Sequence, residues 1–443
     1  MKVPAPPPDL AALRDSMDPR TVVDLILRAS ALDDDYEPWD KIRYRTPPAG
    51  MSAEQWWVAL RSVRDTNARR LPLVDVHGRA FSFALPDEIL RLCDEISSRA
   101  SGAVATPAAV TNPATRDRYL INSLIEEAIT SSQLEGASTT RPIAKQMLRT
   151  GRAPRTHSEK MIANNFLAMQ QVQELRDEKL SPELILELHE AVTEETLADP
   201  SDAGKVQSDP DPRERVVIGG DDDQVLHRPP PVAQLPDRMR ALCDFANGES
   251  GDSWIHPVLR ALTIHFMMGY DHYFADGNGR TARALFYWSM LKQGYWLTEY
   301  LSVSTILKKA PGKYARSFIY TEQDSGDVTY FFLYHLRVLV RALDDLDAYL
   351  ARKTSELRTT RQFLAGVADL NPRQIALLER AFRDPNSEFT ASSHATSHHV
   401  SSEAARQDLL DLERRGWLVR RKTGRRHTWY PVENLADRIH SAG

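Results

Sequence analysis

Residues 272–283 read His-Tyr-Phe-Ala-Asp-Gly-Asn-Gly-Arg-Thr-Ala-Arg, and seven of the twelve could carry chemistry. His272 has an ordinary pKa near neutrality, which suits it to take a proton from an attacking hydroxyl. Asp276 is the single carboxylate of the stretch. One carboxylate is a common protein share of a Mg2+ site whose octahedron is completed by phosphate oxygens and water. Gly277 and Gly279 let backbone N–H groups approach an anion with no Cβ in the way, and Asn278 between them offers a side-chain donor to an oxygen on which charge develops. Arg280 and Arg283 are three apart and share a helix face. Two cations near a helix N-terminus are unfavourable against the dipole, and a bound anion resolves the conflict. Phosphate is the natural occupant.

These residues need two helices to hold them. An apolar run precedes the stretch (Val258, Leu259, Leu262, Phe266, Met267, Tyr270), and a second follows at helical spacing (Ala282, Leu285, Phe286, Ser289, Met290). The glycines interrupt the two, so the pattern predicts helix, tight loop, helix. The unpaired N–H groups that open the second helix then point at one spot.

The twelve residues resemble the signature of the Fic family, His-x-Phe-x-Asp/Glu-Gly-Asn-Gly-Arg-x-x-Arg, and meet every constrained position; Tyr273 stands where many relatives carry Pro. The resemblance implies transfer of AMP from ATP, with Mg2+, to a Ser, Thr or Tyr hydroxyl of a target protein, the chain itself included. It implies His272 as general base, assisted by Asn278 and Arg280, with Asp276 at the metal. Arg280 would face the β-phosphate side and Arg283 the γ-phosphate, and Tyr314 and Gly326-Asp327 are candidates for an adenine slot. The chain has neither a Gly-x-x-x-x-Gly-Lys-Ser/Thr loop nor the His-Arg-Asp and Asp-Phe-Gly pair of kinases, which excludes those nucleotide folds.

A second motif bears on control. Residues 131–136 read Ser-Ser-Gln-Leu-Glu-Gly, at the end of a helix expected from Arg116 to Leu134 and closed by Gly136. A negative charge at a helix C-terminus opposes the dipole, so Glu135 calls for a cationic partner. Ser131, Glu135 and Gly136 match the inhibitory motif of Fic proteins, whose resemblance makes that partner Arg283 and implies autoinhibition. Upstream of the signature, Val217, Ile218, Gly219 and Gly220 followed by an acidic turn read as a hairpin. By resemblance it is the flap that holds the target segment.

The chain has 443 residues, 42% hydrophobic and 26% charged, values of a globular protein too long for one core. Its start lacks an apolar leader and no run of about 18 apolar residues follows, so a cytoplasmic address and no membrane contact are expected. Cys93 and Cys243 are far apart and read as buried thiols. The expected fold is mainly α: a Fic-type helical core with a small β-hairpin flap, plus a C-terminal winged helix. The expected domains are 1–114 (a Fic-associated region), 115–350 (the catalytic core with its inhibitory helix) and 351–443.

The net charge of −5 hides an asymmetry: from Ser355 onward 14 Lys/Arg face 11 Asp/Glu, a balance of +3 that leaves −8 upstream. Three helices are expected there (372–382, 390–399 and 401–415), then strand, Gly-centred turn and strand across 417–430, the order of a winged helix-turn-helix. Seven Lys/Arg and no acid lie from Arg414 to His427. Arg420, Arg421, Lys422, Arg425 and Arg426 are candidate DNA contacts on the wing. His394, His398 and His399 lack a Cys or carboxylate cluster to make a metal site. The sequence thus favours a protein adenylyltransferase held back by Glu135, with a homodimer among its assembly options. Its alternatives are a DNA-binding transcriptional regulator whose Fic domain senses nucleotide, and an enzyme that removes AMP from modified protein.

Overall fold

The computed structural model describes residues 3–29, 35–48, 50–101, 113–208, 218–219, 225–251, 254–366, 369–383, 387–423 and 426–440. They form two compact units, Met1–Leu346 and Asp347–Gly443. The fold is mainly α. The helices are α1 (Leu10–Asp15), α2 (Pro19–Ala29), α3 (Trp39–Ile42), α4 (Ala53–Asn67), α5 (Asp87–Ala100), α6 (Pro113–Leu134), α7 (Arg141–Thr150), α8 (His157–Glu174), α9 (Pro182–Thr193), α10 (Leu235–Asn247), α11 (Pro257–Asp271), α12 (Asn278–Lys292), α13 (Val303–Lys309), α14 (Pro311–Gln323), α15 (Thr329–Gly366), α16 (Pro372–Arg383), α17 (Ala391–His398), α18 (Ser402–Arg414) and α19 (Leu435–His440). Three antiparallel hairpins accompany them: β1 (Arg69–Val74) with β2 (Ala80–Phe83), β3 (Ile218–Gly219) with β4 (Val225–His227), and β5 (Leu418–Thr423) with β6 (Arg426–Pro431).

The helices flanking the chemical loop are the centre of the first unit. Twelve residues of α11 and thirteen of α12 are buried, on all sides of each helix. Helix α12 is buried all round, its polar residues included, and α6, α8 and α9 pack around it. Each fully buried large side chain, such as Phe266, Phe286 or Trp288, contributes roughly 1.5–3 kcal/mol. The loop between these helices is therefore clamped by the best-packed part of the chain.

Residues 36–100, part of the region expected over 1–114, fold into α3, α4, the β1–β2 hairpin and α5. Ser52 and Gln55 form a capping box that starts α4 and buries Trp56, Trp57 and Leu60. The Asp75 carboxylate accepts the N–H groups of His77 (2.8 Å) and Arg79 (2.9 Å), which folds the hairpin turn. A buried ionic knot ties this region to α14 and α15: Arg61 reaches Asp324 (3.0 Å) and Asp327 (2.9 Å), and the Tyr36 hydroxyl donates to Asp327 (2.6 Å). Burial pushes the Asp324 carboxyl up to about 6 against the pull of Arg61. The knot corrects one expectation. Asp327 is committed to Arg61, Tyr36 and Thr329, so Gly326-Asp327 is a structural corner and no wall of an adenine slot.

In the second unit α16, α17, α18, the β5–β6 hairpin and α19 enclose a core of Leu364, Leu377, Leu378, Leu409, Leu412, Trp417, Trp429 and Ile439. Phe389 exchanges backbone hydrogen bonds with Trp429 (2.9 and 2.8 Å), which adds a strand position beside β6. Asp408 on α18 accepts a bidentate pair from Arg373 (2.7 and 3.0 Å) and contacts His394 at 3.2 Å. His394 is thus a packing residue. Among the described residues there is no group of three metal-type ligands, and no helix is long and apolar enough to cross a membrane.

Candidate active site

Helix α11 ends because its C-cap, His272, adopts a left-handed backbone (φ 48°, ψ 61°). This is a sparsely populated state for a non-glycine residue, of the kind held only where the surroundings enforce it. They do so through the two aromatic neighbours. Tyr273 is fully buried and its hydroxyl donates to Asp271 (2.7 Å), while Asp271 is also gripped by Arg238 (2.6 Å). The Tyr at this position anchors the loop from within. Phe274 is buried and lies flat against the imidazole of His189, ring centroids 3.7 Å apart.

The chain then turns through Gly277 (φ 84°), the N-cap of α12, where a Cβ would come within 2.6 Å of the Thr193 methyl. Asn278 has its Oδ1 accepting the Phe274 N–H (3.0 Å) and its Nδ2 donating to the Phe274 carbonyl (2.6 Å). The side chain expected to face an oxyanion is therefore spent, in large part, on closing the loop. Its own backbone N–H and that of Gly279 open α12 toward the cradle. Asp276 stands at the mouth, its side chain 57% exposed, with Oδ1 accepting the Gly277 N–H (2.5 Å) and Oδ2 3.7 Å from Arg280.

Arg280 and Arg283 share a face, and the structure treats them differently. Arg280 is wholly buried and donates once, from Nη1 to the Val192 carbonyl (2.6 Å), leaving Nε and Nη2 without hydrogen-bond acceptors. Burial lowers this guanidinium from its ordinary value despite Asp276 nearby. A buried cation with two idle donors is a socket for an anion. Arg283 is also buried, yet three bonds hold it from α6 and its end: Nε to Ser131 Oγ (2.7 Å), Nη2 to the Ser131 carbonyl (3.0 Å) and Nη2 to Glu135 Oε1 (2.8 Å). Burial works against its charge, and the Glu135 carboxylate outweighs that, so its pKa stands raised.

Glu135 sits just beyond the last residue of α6, followed by Gly136 at φ 94°. Its carboxylate lies over Gly279: a Cβ there would strike Oε1 and meet Cδ at 2.8 Å. The acid thus fills the space in front of the α12 N-terminus while pairing with Arg283. Two turns back on α6, the fully buried Glu127 accepts from the Ser304 N–H (3.0 Å), the Ser304 hydroxyl and the Ser302 hydroxyl (3.1 Å), pinning the helix to the start of α13. Burial holds that carboxyl above the usual range. Tyr314 on α14 meets the buried His265 (2.9 Å) and lies close enough to Arg283 to interact with it, and burial raises its hydroxyl to about 12.

Sequence reasoning missed His189. Its Nδ1 accepts the Gly204 N–H (3.1 Å), which fixes the tautomer, so Nε2 carries the proton and donates to the Asp276 carbonyl (2.9 Å). Burial drives its pKa down to about 4. No spacing signal links it to a loop more than eighty residues away. Of the flap, Val217 and Gly220 lie outside the described residues, and Ile218 and Gly219 pair with His227 and Val225. His227 contacts the Tyr270 carbonyl (2.7 Å), so this hairpin is tied beside the end of α11.

The wing residues are not all on one side. Strand alternation puts Arg421 on one face and Arg420 and Lys422 on the other. Arg420 is 3.4 Å from Glu413. Arg425 lies outside the described residues. The basic run of the sequence is therefore split by the pleat.

In this helix–loop–helix an exposed carboxylate, glycine-framed N–H groups and a buried arginine with idle donors meet at the loop that begins with His272. Residues 179–290 match the profile of the Fic/DOC family, and the chain carries a domain of that family. The chain is 31% identical over 169 residues to the protein adenylyltransferase Fic of Drosophila willistoni, covering 37% of this chain and 31% of that protein. With the Drosophila mojavensis protein of the same name it shares 27% identity over 286 residues, 64% of this chain and 49% of the other. The chain thus spans about a third to a half of the curated relatives it matches. A crystal structure of a Fic family protein from Desulfovibrio desulfuricans superposes with a TM-score of 0.52 at 19% identity, over 80% of this chain and 98% of that one. That likeness shows a shared fold.

Proposed function

We propose that the protein is a protein adenylyltransferase that moves AMP from ATP to a hydroxyl of a protein target, itself among the candidates, and that Glu135 restrains it. The observation that carries the reading is the pair of arginines: Arg280 is buried with idle donors while Arg283 is occupied by Ser131 and Glu135. In this mechanism the triphosphate lies across the α12 N-terminus, its charge met by the N–H groups around Gly277 and Gly279 and by Arg280. His272 takes the proton from the target hydroxyl as its oxygen attacks the α-phosphorus. The bond from that phosphorus to its leaving oxygen then breaks, releasing pyrophosphate. Hairpin β3–β4 would hold the target segment by strand pairing.

Asp276 fits a divalent ion that takes one carboxylate from the protein, since it is exposed at the mouth and no second acid competes among its described contacts. Mg2+ held there would neutralise phosphate charge in the transition state. Restraint follows from geometry: with Glu135 over Gly279 and on Arg283, the γ-phosphate loses both space and its cation. The same carboxylate, placed beside the cradle, supports a second reading in which it orients water to remove AMP from a modified protein.

The reading divides the chain into a region to residue 114, a catalytic core over 115–350 and a winged helix over 351–443 that recruits DNA or protein. The test uses α-labelled ATP with Mg2+ and the purified chain. Glu135→Gly should raise self-labelling at least tenfold over the parent, and the double variant with Arg283→Ala should fall back. Equal, low labelling by parent and Glu135→Gly in folded samples would overturn the restraint, and loss of a pre-formed label only in proteins that retain Glu135 would favour the second reading.

A further inference from the structure

A separate cavity of about 500 Å3 opens in the first unit between the turn before α3 and the faces of α14 and α15. None of its lining residues belongs to the 272–283 loop, and its size is that of sites that enclose small molecules. Five cations line it, Lys41, Lys313, Arg316, Arg337 and Arg341, against two acids, Asp35 and Glu37. Both acids are already held by Arg45, at 3.1 and 2.6 Å, and Lys41 is 3.5 Å from Glu37. Arg337 is chelated by Glu88 at 2.5 and 2.7 Å. Asp40, beside Tyr320, accepts the Ala5 N–H (2.9 Å). That leaves three cations in excess. Lys313, Arg316 and Arg341 make no ion pair among the described residues; Arg316 donates from Nε to the Gly312 carbonyl (3.1 Å) and bonds the Tyr320 hydroxyl, and Arg341 lies near Tyr334.

Three unneutralised cations around one concavity repel one another, and Lys313, in the first turn of α14, also opposes the helix dipole. An anion relieves both. Between the charges the lining is apolar and aromatic: Leu333, Val338 and Ile306 are buried, and Tyr320 and Tyr334 are half-buried. The geometry points to a binding site for a small organic anion, a phosphate or carboxylate on an aromatic body, distinct from the cradle at α12. The volume is too small for a folded partner, and a bare inorganic ion would leave the aromatic wall wet.

Calorimetric titration of the full chain tests this with four probes: phenyl phosphate, benzoate, inorganic phosphate and phenol. Phenyl phosphate should bind at least tenfold more tightly than inorganic phosphate or phenol, and whichever of phenyl phosphate and benzoate binds better names the anionic group. Arg316→Gln with Arg341→Gln should weaken binding at least tenfold with an unchanged unfolding midpoint. Arg283→Ala, which alters the α12 cradle, should leave it intact, so the result stands or falls apart from the adenylyl-transfer reading. The site is overturned if neither aromatic anion binds, if the double variant binds as the parent does, or if Arg283→Ala abolishes the heat.

Discussion

At the scale of single residues, the loop assigns each polar group one task, and substitution should separate the tasks. Replacing His272 by Ala removes a group on the attacking hydroxyl without touching the phosphate cradle, so in a Glu135→Gly background labelling should fall roughly 10²- to 10⁴-fold while nucleotide affinity stays within about twofold. Labelling at the background rate would show that the base lies elsewhere. Asp276→Ala should instead flatten the Mg2+ dependence of both nucleotide binding and labelling, and an unaltered Mg2+ titration would remove the metal role. The placement of Arg280 and Arg283 on one face of α12 was legible because their spacing alone sets it, and the loop before them was marked by its glycines. The loop-closing part of Asn278 was not, since its partner is the backbone of Phe274, which presents no side-chain signature. Glu135 was legible as a charge in need of a cation, although the choice of Arg283 over other cations came through family resemblance.

At the scale of elements, α9 buttresses the loop through one imidazole, and that makes the site sensitive to acid. His189 is needed neutral: Nδ1 must accept from Gly204 and its face must stack on Phe274. Its folded pKa of about 4 lies below the ordinary 6.5. A histidine depressed in this way adds stability that is complete above pH 6.5 and drains away as pH falls toward 4. By linkage, about 2 kcal/mol of it should be gone at pH 5. Urea unfolding of the parent at pH 7.5 and pH 5 should show a loss larger by about that amount than His189→Phe shows over the same interval; parallel pH dependence in the two proteins would refute the buttress. Helix α6 was open to reading from its pattern and closing Gly136, whereas α4 and its capping box emerge only in the structure. What spacing does not record is which helix ends meet. The knot of Arg61 with Asp324 and Asp327 joins positions more than 260 apart, and only packing brings them together.

At the scale of the whole molecule, the charge asymmetry is matched by a division of the chain at residue 346. Composition alone suggested a wing with five basic residues on a phosphate track. The pleat of β5–β6 changes the count. Arg421 is on one face, Arg420 leans on Glu413, and Lys422 is on the other face with Arg420. With Arg420 and Lys422 turned away from Arg421, no more than about three of the five can follow a single backbone. If the second unit binds duplex DNA, log affinity should fall against log salt with a slope of about −2 to −3, at roughly −0.9 for each neutralised phosphate. Arg421→Ala with Arg426→Ala in the full chain should bring that slope close to −1, whereas Lys422→Ala should change it by less than one contact. A slope near −4.5 would mean that all five residues meet phosphate and that the hairpin twists far from the arrangement described. Absence of binding at low salt would make this unit a protein-recruitment module, and with it the regulator alternative would fall.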